Sequence, residues 1–230
     1  MISMEGKKET ATAAAWPEAA GFALAGGRSS RMGADKSLVL LDARPLLVHA
    51  LGILREAGLR ASIAGGEPTL AAFAPMVKDR RPGLGPLSGI CAAFASRTAR
   101  WAVFIPVDLP LLPPSLVTYL LHQARMTESM VTVSAVNGFS QTFPAVLERS
   151  ALPILERELE AGRGGCFSAF QAAAASTGEK VNALPVESLV QCGQVADPRG
   201  LPAARWFLNV NTPENLRRAE LHSARAHRVS

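Results

Sequence analysis

Residues that form disulfides or bind transition metals are scarce in this chain of 230 residues. It has three cysteines (Cys91, Cys166 and Cys192) and four histidines (His49, His122, His222 and His227). The cysteines are odd in number and widely separated, with no C-x-x-C, which reads as free thiols in a reducing cytosol. The histidines show no H-x-x-x-H or related spacing, which speaks against zinc. No stretch reaches the ~20 apolar residues of a membrane span. The opening MISMEGKKETATAAAWPEAA lacks the apolar core of a secretory signal, and Glu5 and Glu9 argue against a transit peptide. Residues 1–19 therefore read as a mobile leader, and the protein as cytoplasmic. Arg217, Arg218, Arg225 and Arg228 make the C-terminus basic, and residues 223–230 read as a basic tail. No aromatic platform or recognised motif accompanies those charges, so they describe a solvated helix end and no nucleic-acid partner is expected.

What is present is apolar and rhythmic. Apolar residues make up 48% of the chain and charged residues 19%, which suits a globular protein. The formal charge of +5 favours an anionic partner without saying which anion. Gly21–Ala25, Arg60–Ala64, Met76–Lys78, Trp101–Ile105, Val131–Val136 and Phe143–Leu147 read as strands. Trp101–Ile105 is apolar on both faces, as in a parallel sheet covered by helices on each side. Helices are expected from Pro45, with Leu47, Leu51 and Leu54 on one face and Gly58 as the stop, and over Ile90–Ala95. Others are expected from Pro113-Pro114, and from Ser150 as a cap with Leu152, Leu155 and Leu159. Thr212-Pro213-Glu214 adds a helix start with a cap, a first-turn proline and an acidic first turn. The alternation of strand, loop and helix predicts one three-layer α/β domain over residues 20–222 with a mostly parallel, Rossmann-like sheet. In such sheets ligands bind beyond the carboxyl ends of the strands.

The polar clusters fall at those ends. The most telling is "LAGGRSSRMGADK", residues 24–36, directly after the first strand. A Walker A loop needs Gly-Lys-Ser/Thr in succession, but Ala34 and Asp35 separate Gly33 from Lys36. Neither GGRSSRMG nor GLGPLSG fits the dinucleotide G-x-G-x-x-G. Ser29 and Ser30 are not in a G-x-S-x-G elbow. Glycines let backbone N–H groups approach phosphate oxygens, while Arg28, Arg31 and Lys36 supply full cations. A triphosphate also calls for Mg²⁺, which binds through one or two carboxylates plus phosphate oxygens. Asp108, at the end of the clearest strand and flanked by Pro106 and Pro110, is the leading carboxylate.

L-A-G-G-x-S-x-R-M-G-x-D-K from Leu24 to Lys36 resembles the opening signature of the MobA-like nucleotidyltransferases, and within them most closely the molybdenum cofactor guanylyltransferases. Three further segments agree in order and distance: Arg44-Pro45-Leu46-Leu47-Val48-His49, Gly85-Pro86-Leu87-Ser88-Gly89-Ile90 and Pro106-Val107-Asp108-Leu109-Pro110. Asn209-Val210-Asn211-Thr212-Pro213-Glu214 resembles the family's closing N-x-N-T-P-E. The resemblance spans residues 20 to 220.

It implies an enzyme that binds GTP with Mg²⁺ and transfers GMP to the terminal phosphate of molybdopterin, releasing pyrophosphate and forming molybdopterin guanine dinucleotide. By the motif match, Leu24, Ala25, Gly26 and Gly27 lie against the nucleotide, the first three through their backbones. Lys36 reaches the phosphates, Asp79 binds the nucleoside portion, and Asp108 binds nucleotide and Mg²⁺. Arg31 neutralises charge on the triphosphate. Asn209 and Asn211 fall on the metal or acceptor side. Gly26 favours guanine, since CTP-using relatives carry L-A-A-G there. Exchange with molybdopterin-synthesis proteins or molybdoenzymes is expected, because free molybdopterin is unstable. Two departures stand out: Ile63-Ala64-Gly65-Gly66 lacks an asparagine that some guanylyltransferases carry, and Arg163-Gly164-Gly165-Cys166 is less basic than its counterpart. The Asp197-Pro198-Arg199 loop resembles nothing in the family. The alternative within this chemistry is a molybdopterin cytidylyltransferase, or a nucleotidyltransferase for a sugar or alcohol phosphate. Outside it stands a degenerate nucleotide-binding accessory protein, against which the presence of Lys36 and Asp108 argues.

Overall fold

The computed structural model describes residues 15–26, 35–81 and 83–226, with the last three by backbone alone. Within them the strands are β1 (Ala19–Leu24), β2 (Leu40–Leu41), β3 (Arg44–Pro45), β4 (Arg60–Ala64), β5 (Met76–Val77), β6 (Trp101–Pro106), β7 (Val131–Val136), β8 (Phe139–Glu148) and β9 (Asn182–Pro185). The helices are α1 (Leu46–Glu56), α2 (Pro86–Ala95), α3 (Pro114–Thr127), α4 (Leu152–Glu160), α5 (Cys166–Ala175), α6 (Val186–Gln191), α7 (Ala203–Trp206) and α8 (Pro213–Ala226).

Seven strands form one sheet in the order β5-β4-β1-β6-β8-β7-β9. β8 alone runs against its neighbours; the β5–β4, β4–β1, β1–β6 and β7–β9 pairs are parallel. β2 and β3 form a separate hairpin, turned by Asp42 and Ala43 at positive φ. The sheet is therefore the mixed, mostly parallel one expected, and helices cover both faces. On one face Ala23, Val103 and Ile105 pack with Leu47, Leu51 and Leu54 of α1 and with Leu116 and Leu120 of α3. On the other, Phe22 and Phe104 stack with ring centroids 5.3 Å apart, under Phe94 of α2 and Phe170 of α5. This double coverage explains why β1 is buried at every position. Gly21 lets α1 sit close, since a Cβ there would stand 3.0 Å from Leu54 Cδ2. Among the described residues no helix is long and apolar enough to cross a membrane.

Several boundaries differ from the sequence reading: α2 begins at Pro86 rather than Ile90, β8 at Phe139 rather than Phe143, and β9 is not among the expected strands. Residues 15–19, read as leader, are packed. Trp16 Nε1 donates to Ala57 O at 2.9 Å, Arg125 lies over its ring, Glu18 pairs with Arg125, and β1 already begins at Ala19. α8 continues through residues 223–226, which the sequence reading gave to the tail. The turn before α4 is capped by the Glu148 carboxylate, which accepts from Ser150 N, so Ser150 is not the cap.

Candidate nucleotide site

The carboxyl ends of β1, β4, β5 and β6 share one edge of the sheet, and their exits are laced together by backbone hydrogen bonds. Ala25 N donates to Ala64 O at 3.0 Å, Gly65 N to Val77 O at 3.0 Å, and Val107 N to Leu24 O at 3.3 Å. Val210 N donates to Asp108 O at 2.9 Å, which brings the closing N-x-N-T-P-E segment to the aspartate loop. The Gly65-Gly66 turn needs glycine. Both residues have positive φ (75° and 88°), and added Cβ atoms would stand 2.8 Å from Ala25 O and 2.7 Å from Leu70 Cδ1 respectively. Gly26, with φ 155°, faces this turn: a Cβ on it would lie 3.7 Å from Gly66 N. Leu24, Ala25 and Gly26 are thus seated against the β4 exit, where Gly65 and Gly66 present bare backbone.

At the centre of this edge Lys36, Asp108 and Asn211 converge. Lys36 opens a short 3₁₀ turn (Lys36–Leu38) that the Asp35 carboxylate caps by accepting from Ser37 N at 2.9 Å. Lys36 Nζ donates to Asp108 Oδ2 at 2.6 Å and to Asn211 Oδ1, and the lysine and aspartate side chains are only 17% and 19% exposed. Oδ1 of Asp108 is buried, and among the described residues nothing donates to it. A buried carboxylate oxygen without a donor is costly and calls for a partner. Thr212 accepts from Asn215 N and starts α8 as expected, which orients Asn211.

The other expected site residues lie as follows. Asn209 turns away: its Nδ2 points to Phe207 O at 3.5 Å, and the side chain is exposed. Asp79 follows β5 on the same edge but does not join the Lys36 group. Its Oδ1 accepts from Arg81 N at 2.8 Å and from Ser88 Oγ. Gly27 and Arg31 lie outside the described residues. Two partners escaped the sequence reading: Ser88, which anchors Asp79 from the first turn of α2, and Val210, whose backbone amide no side-chain pattern could reveal. A cleft of about 170 Å³ opens beside Ser88, lined also by Arg80, Arg81, Cys91, Glu156 and Glu160. Burial, with help from Glu156, pushes the Cys91 thiol up to about 12, and burial does the same to Cys166. Neither is a nucleophile at neutral pH. Arg163 is engaged internally: it donates to Glu158 at 2.6 and 2.9 Å and holds that carboxyl below its usual range.

The arrangement suits a hard divalent cation. Asp108 offers an unpartnered carboxylate oxygen, Asn211 a second oxygen nearby, and Lys36 now provides the positive charge. Among the described residues there is no cluster of three or more acidic, histidine or cysteine ligands. Ligand phosphates and water would therefore complete the shell, which is the habit of Mg²⁺.

A mostly parallel three-layer sheet whose carboxyl edge joins a glycine-lined slot to a lysine and a metal-competent aspartate defines a nucleotide-binding α/β protein. The chain belongs to the MobA-like NTP transferase domain family, which it matches over residues 21–177. It is 35% identical over 196 residues to a molybdenum cofactor guanylyltransferase of Xanthomonas euvesicatoria, covering 84% of this chain and 90% of that one. In structure it resembles the molybdopterin-guanine dinucleotide biosynthesis protein A of Archaeoglobus fulgidus. There the TM-score is 0.71 at 21% identity, over 90% of this chain and 98% of the other. A Mycobacterium tuberculosis protein solved in complex with manganese has the same fold, with a TM-score of 0.61 at 20% identity over 88% of this chain and 98% of that one.

Proposed function

We propose that this protein is a molybdenum cofactor guanylyltransferase: it transfers GMP from GTP to the terminal phosphate of molybdopterin and releases pyrophosphate. The observation that carries this reading is the convergence of Lys36, Asp108 and Asn211 at the carboxyl edge, in a chain whose curated relatives bear that name. In the reaction an oxygen of the acceptor phosphate forms a bond to the α-phosphorus of GTP, and the bond from that phosphorus to the oxygen bridging to the β-phosphate breaks. The acceptor oxygen is already anionic, so no general base is required. The protein's work is to align two anions and stabilise the developing charge.

Each residue then has a task. Leu24, Ala25 and Gly26 present backbone to the nucleotide, and the absence of a side chain at Gly26 and Gly66 leaves room for a purine. Gly27 continues that wall. Asp79, steadied by Ser88, takes the nucleoside portion. Lys36 exchanges its contact with Asp108 for the phosphates, and Arg31 adds charge there. When bound, Mg²⁺ would be held by Asp108 together with ligand phosphates and would supply charge neutralisation there. Asn211 stands on the metal side, and Asn209, exposed at the rim, toward the acceptor. The free buried thiols suit a cytoplasmic protein. Direct hand-off from molybdopterin-synthesis proteins or to molybdoenzymes fits an unstable acceptor, and affinity capture that recovered none of them would count against it.

Calorimetric titration with GTP, CTP, ATP and UTP, each with and without Mg²⁺, tests the reading. Mg²⁺-dependent selectivity for GTP, followed by pyrophosphate release on adding molybdopterin, is the expected result. A preference for CTP would make the protein a cytidylyltransferase. No release with molybdopterin would remove the acceptor assignment.

A further inference from the structure

The Asp197–Arg199 segment lies beyond residues 21–177 matched to the family, yet it is tied to the loop that carries Asp108. Val107–Pro113 carries Asp108 from β6 into α3, and its own internal bonds are long: Leu109 N to Pro106 O at 3.4 Å and Leu112 N to Leu109 O at 3.5 Å. Arg199 Nη2 donates to Leu111 O at 2.6 Å. The same guanidinium is gripped by Asp197, whose oxygens accept from Arg199 Nη2 at 2.6 Å and from Nε at 3.1 and 3.2 Å. Arg199 N closes the turn onto Asp197 Oδ1 at 2.7 Å, and the Asp197 side chain is fully buried. The segment is itself pinned to the first turn of α3, where Ser115 Oγ donates to Ala196 O at 2.6 Å.

We infer that Arg199, oriented by Asp197, is a positioning residue for the metal-binding aspartate: it holds the Leu111 carbonyl and so fixes the loop from which Asp108 projects. With Val210 N on the Asp108 carbonyl, the loop is held at two points by the chain's final third. The planar fork of arginine grips Asp197 through Nε and Nη2 while Nη2 also reaches Leu111 O, a geometry that the flexible ammonium of a lysine does not reproduce. A buried carboxylate on Asp197 keeps the fork from rotating, as outer partners of a metal site orient the ligands within it. This inference rests on the metal-binding reading of Asp108 given above.

The test compares wild type, Arg199→Met, Arg199→Lys and Asp108→Asn with Leu155→Ala, a core change under α4 on the opposite face of the sheet. The readouts are amide exchange of Val107–Leu112 without ligand, Mn²⁺ affinity by electron paramagnetic resonance with GTP present, and kcat and KM for GTP. Arg199→Met should speed exchange in the loop. It should also weaken Mn²⁺ binding about tenfold or more and lower kcat further than it raises KM. Arg199→Lys should fall between it and wild type. If the methionine variant does not fold, the lysine variant decides. Wild-type exchange and Mn²⁺ affinity in the folded variants overturn the inference, as does an equal effect in Leu155→Ala at a matched melting temperature. Wild-type protein that binds no Mn²⁺ with GTP overturns the reading of Asp108 itself, which the ligand-free exchange data register separately.

Discussion

Replacing Asp108 with asparagine changes one oxygen for a nitrogen in the middle of the Lys36–Asp108–Asn211 group, and its effects on stability and on catalysis should part company. The pair with Lys36 is about four-fifths buried. Exposed pairs contribute about 0–1 kcal/mol, and breaking a fully buried one costs about 3–5 kcal/mol. Lys36 sits on a short surface turn and keeps Asn211 as a partner, so a loss near the lower bound is expected, about 1–2 kcal/mol. Against this, the unpartnered Oδ1 already costs about 1–3 kcal/mol as a buried acceptor. Asparagine removes the charge but still leaves a buried polar atom there without a partner, so little of that cost is recovered, and a net loss of about 1–2 kcal/mol moves the melting temperature of a domain of this size by ~2–8 °C. In the transition state nothing offsets the lost charge. Removing one well-placed electrostatic group costs about 3–4 kcal/mol, or ~10²–10³ in rate. Differential scanning fluorimetry and a coupled pyrophosphate assay with GTP, Mg²⁺ and molybdopterin read the two effects on the same preparation. More than a tenth of wild-type turnover would refute the role given to the carboxylate. A melting temperature lowered by 10 °C or more would refute this modest stability cost.

Lys36→Met should leave a folded protein that loses transfer by about 100-fold or more, with the loss shared between KM for GTP and kcat; wild-type KM would free the lysine from phosphate binding. Gly66→Ala places a Cβ 2.7 Å from Leu70 Cδ1 at positive φ, and should cost about 1–3 kcal/mol in a denaturant melt and weaken GTP more than free pyrophosphate. Equal weakening of both would place the turn away from the nucleoside. Only Cys192 is exposed, so Ellman's reagent at pH 8 should count one thiol in native protein and three in denaturant. Fast labelling of all three would contradict the burial that raises Cys91 and Cys166. Those two thiols bind their protons more tightly folded than unfolded, with values moved from 9.0 to about 12. From this source stability is level below pH 9 and falls as pH rises from there toward 12. A denaturation midpoint that rose over that window would reverse the sign.

The strands next to the site were legible because they are covered on both faces: β1 and β6 are unbroken apolar runs, and their exits are marked by glycine and proline. Lys36, Asp108 and Asn211 could be named from motifs, since each sits at a strand exit or a helix start with a local signature. α5 could not. Its sequence, CFSAFQAAAA, sets only a weak period, because one side packs in the core and the other carries just Ser168 and Gln171 among alanines. One tryptophan among alanines has no rhythm, so Trp16 reads as part of a leader; its folded neighbours, Ala57 O and the Arg125 guanidinium, account for it. The Arg199–Leu111 bond spans 88 positions. Nothing local encodes such a contact, and so only the fold shows that the Asp197–Arg199 loop is bonded to the segment that follows Asp108.

The lacing of the edge also sets an order in time. β9, the last strand of the sheet, ends at Pro185, and the family match ends at residue 177. Arg199, Val210 and Asn211 all come later. As the chain leaves the ribosome, every strand of the sheet is therefore available before the groups that hold Asp108 in place have been synthesised. A chain cut between residues 186 and 198 would keep every described strand and Lys36 but lack Arg199 and Val210. The bonds that tie down the Asp108 loop are thus made by residues that follow every described strand of the sheet.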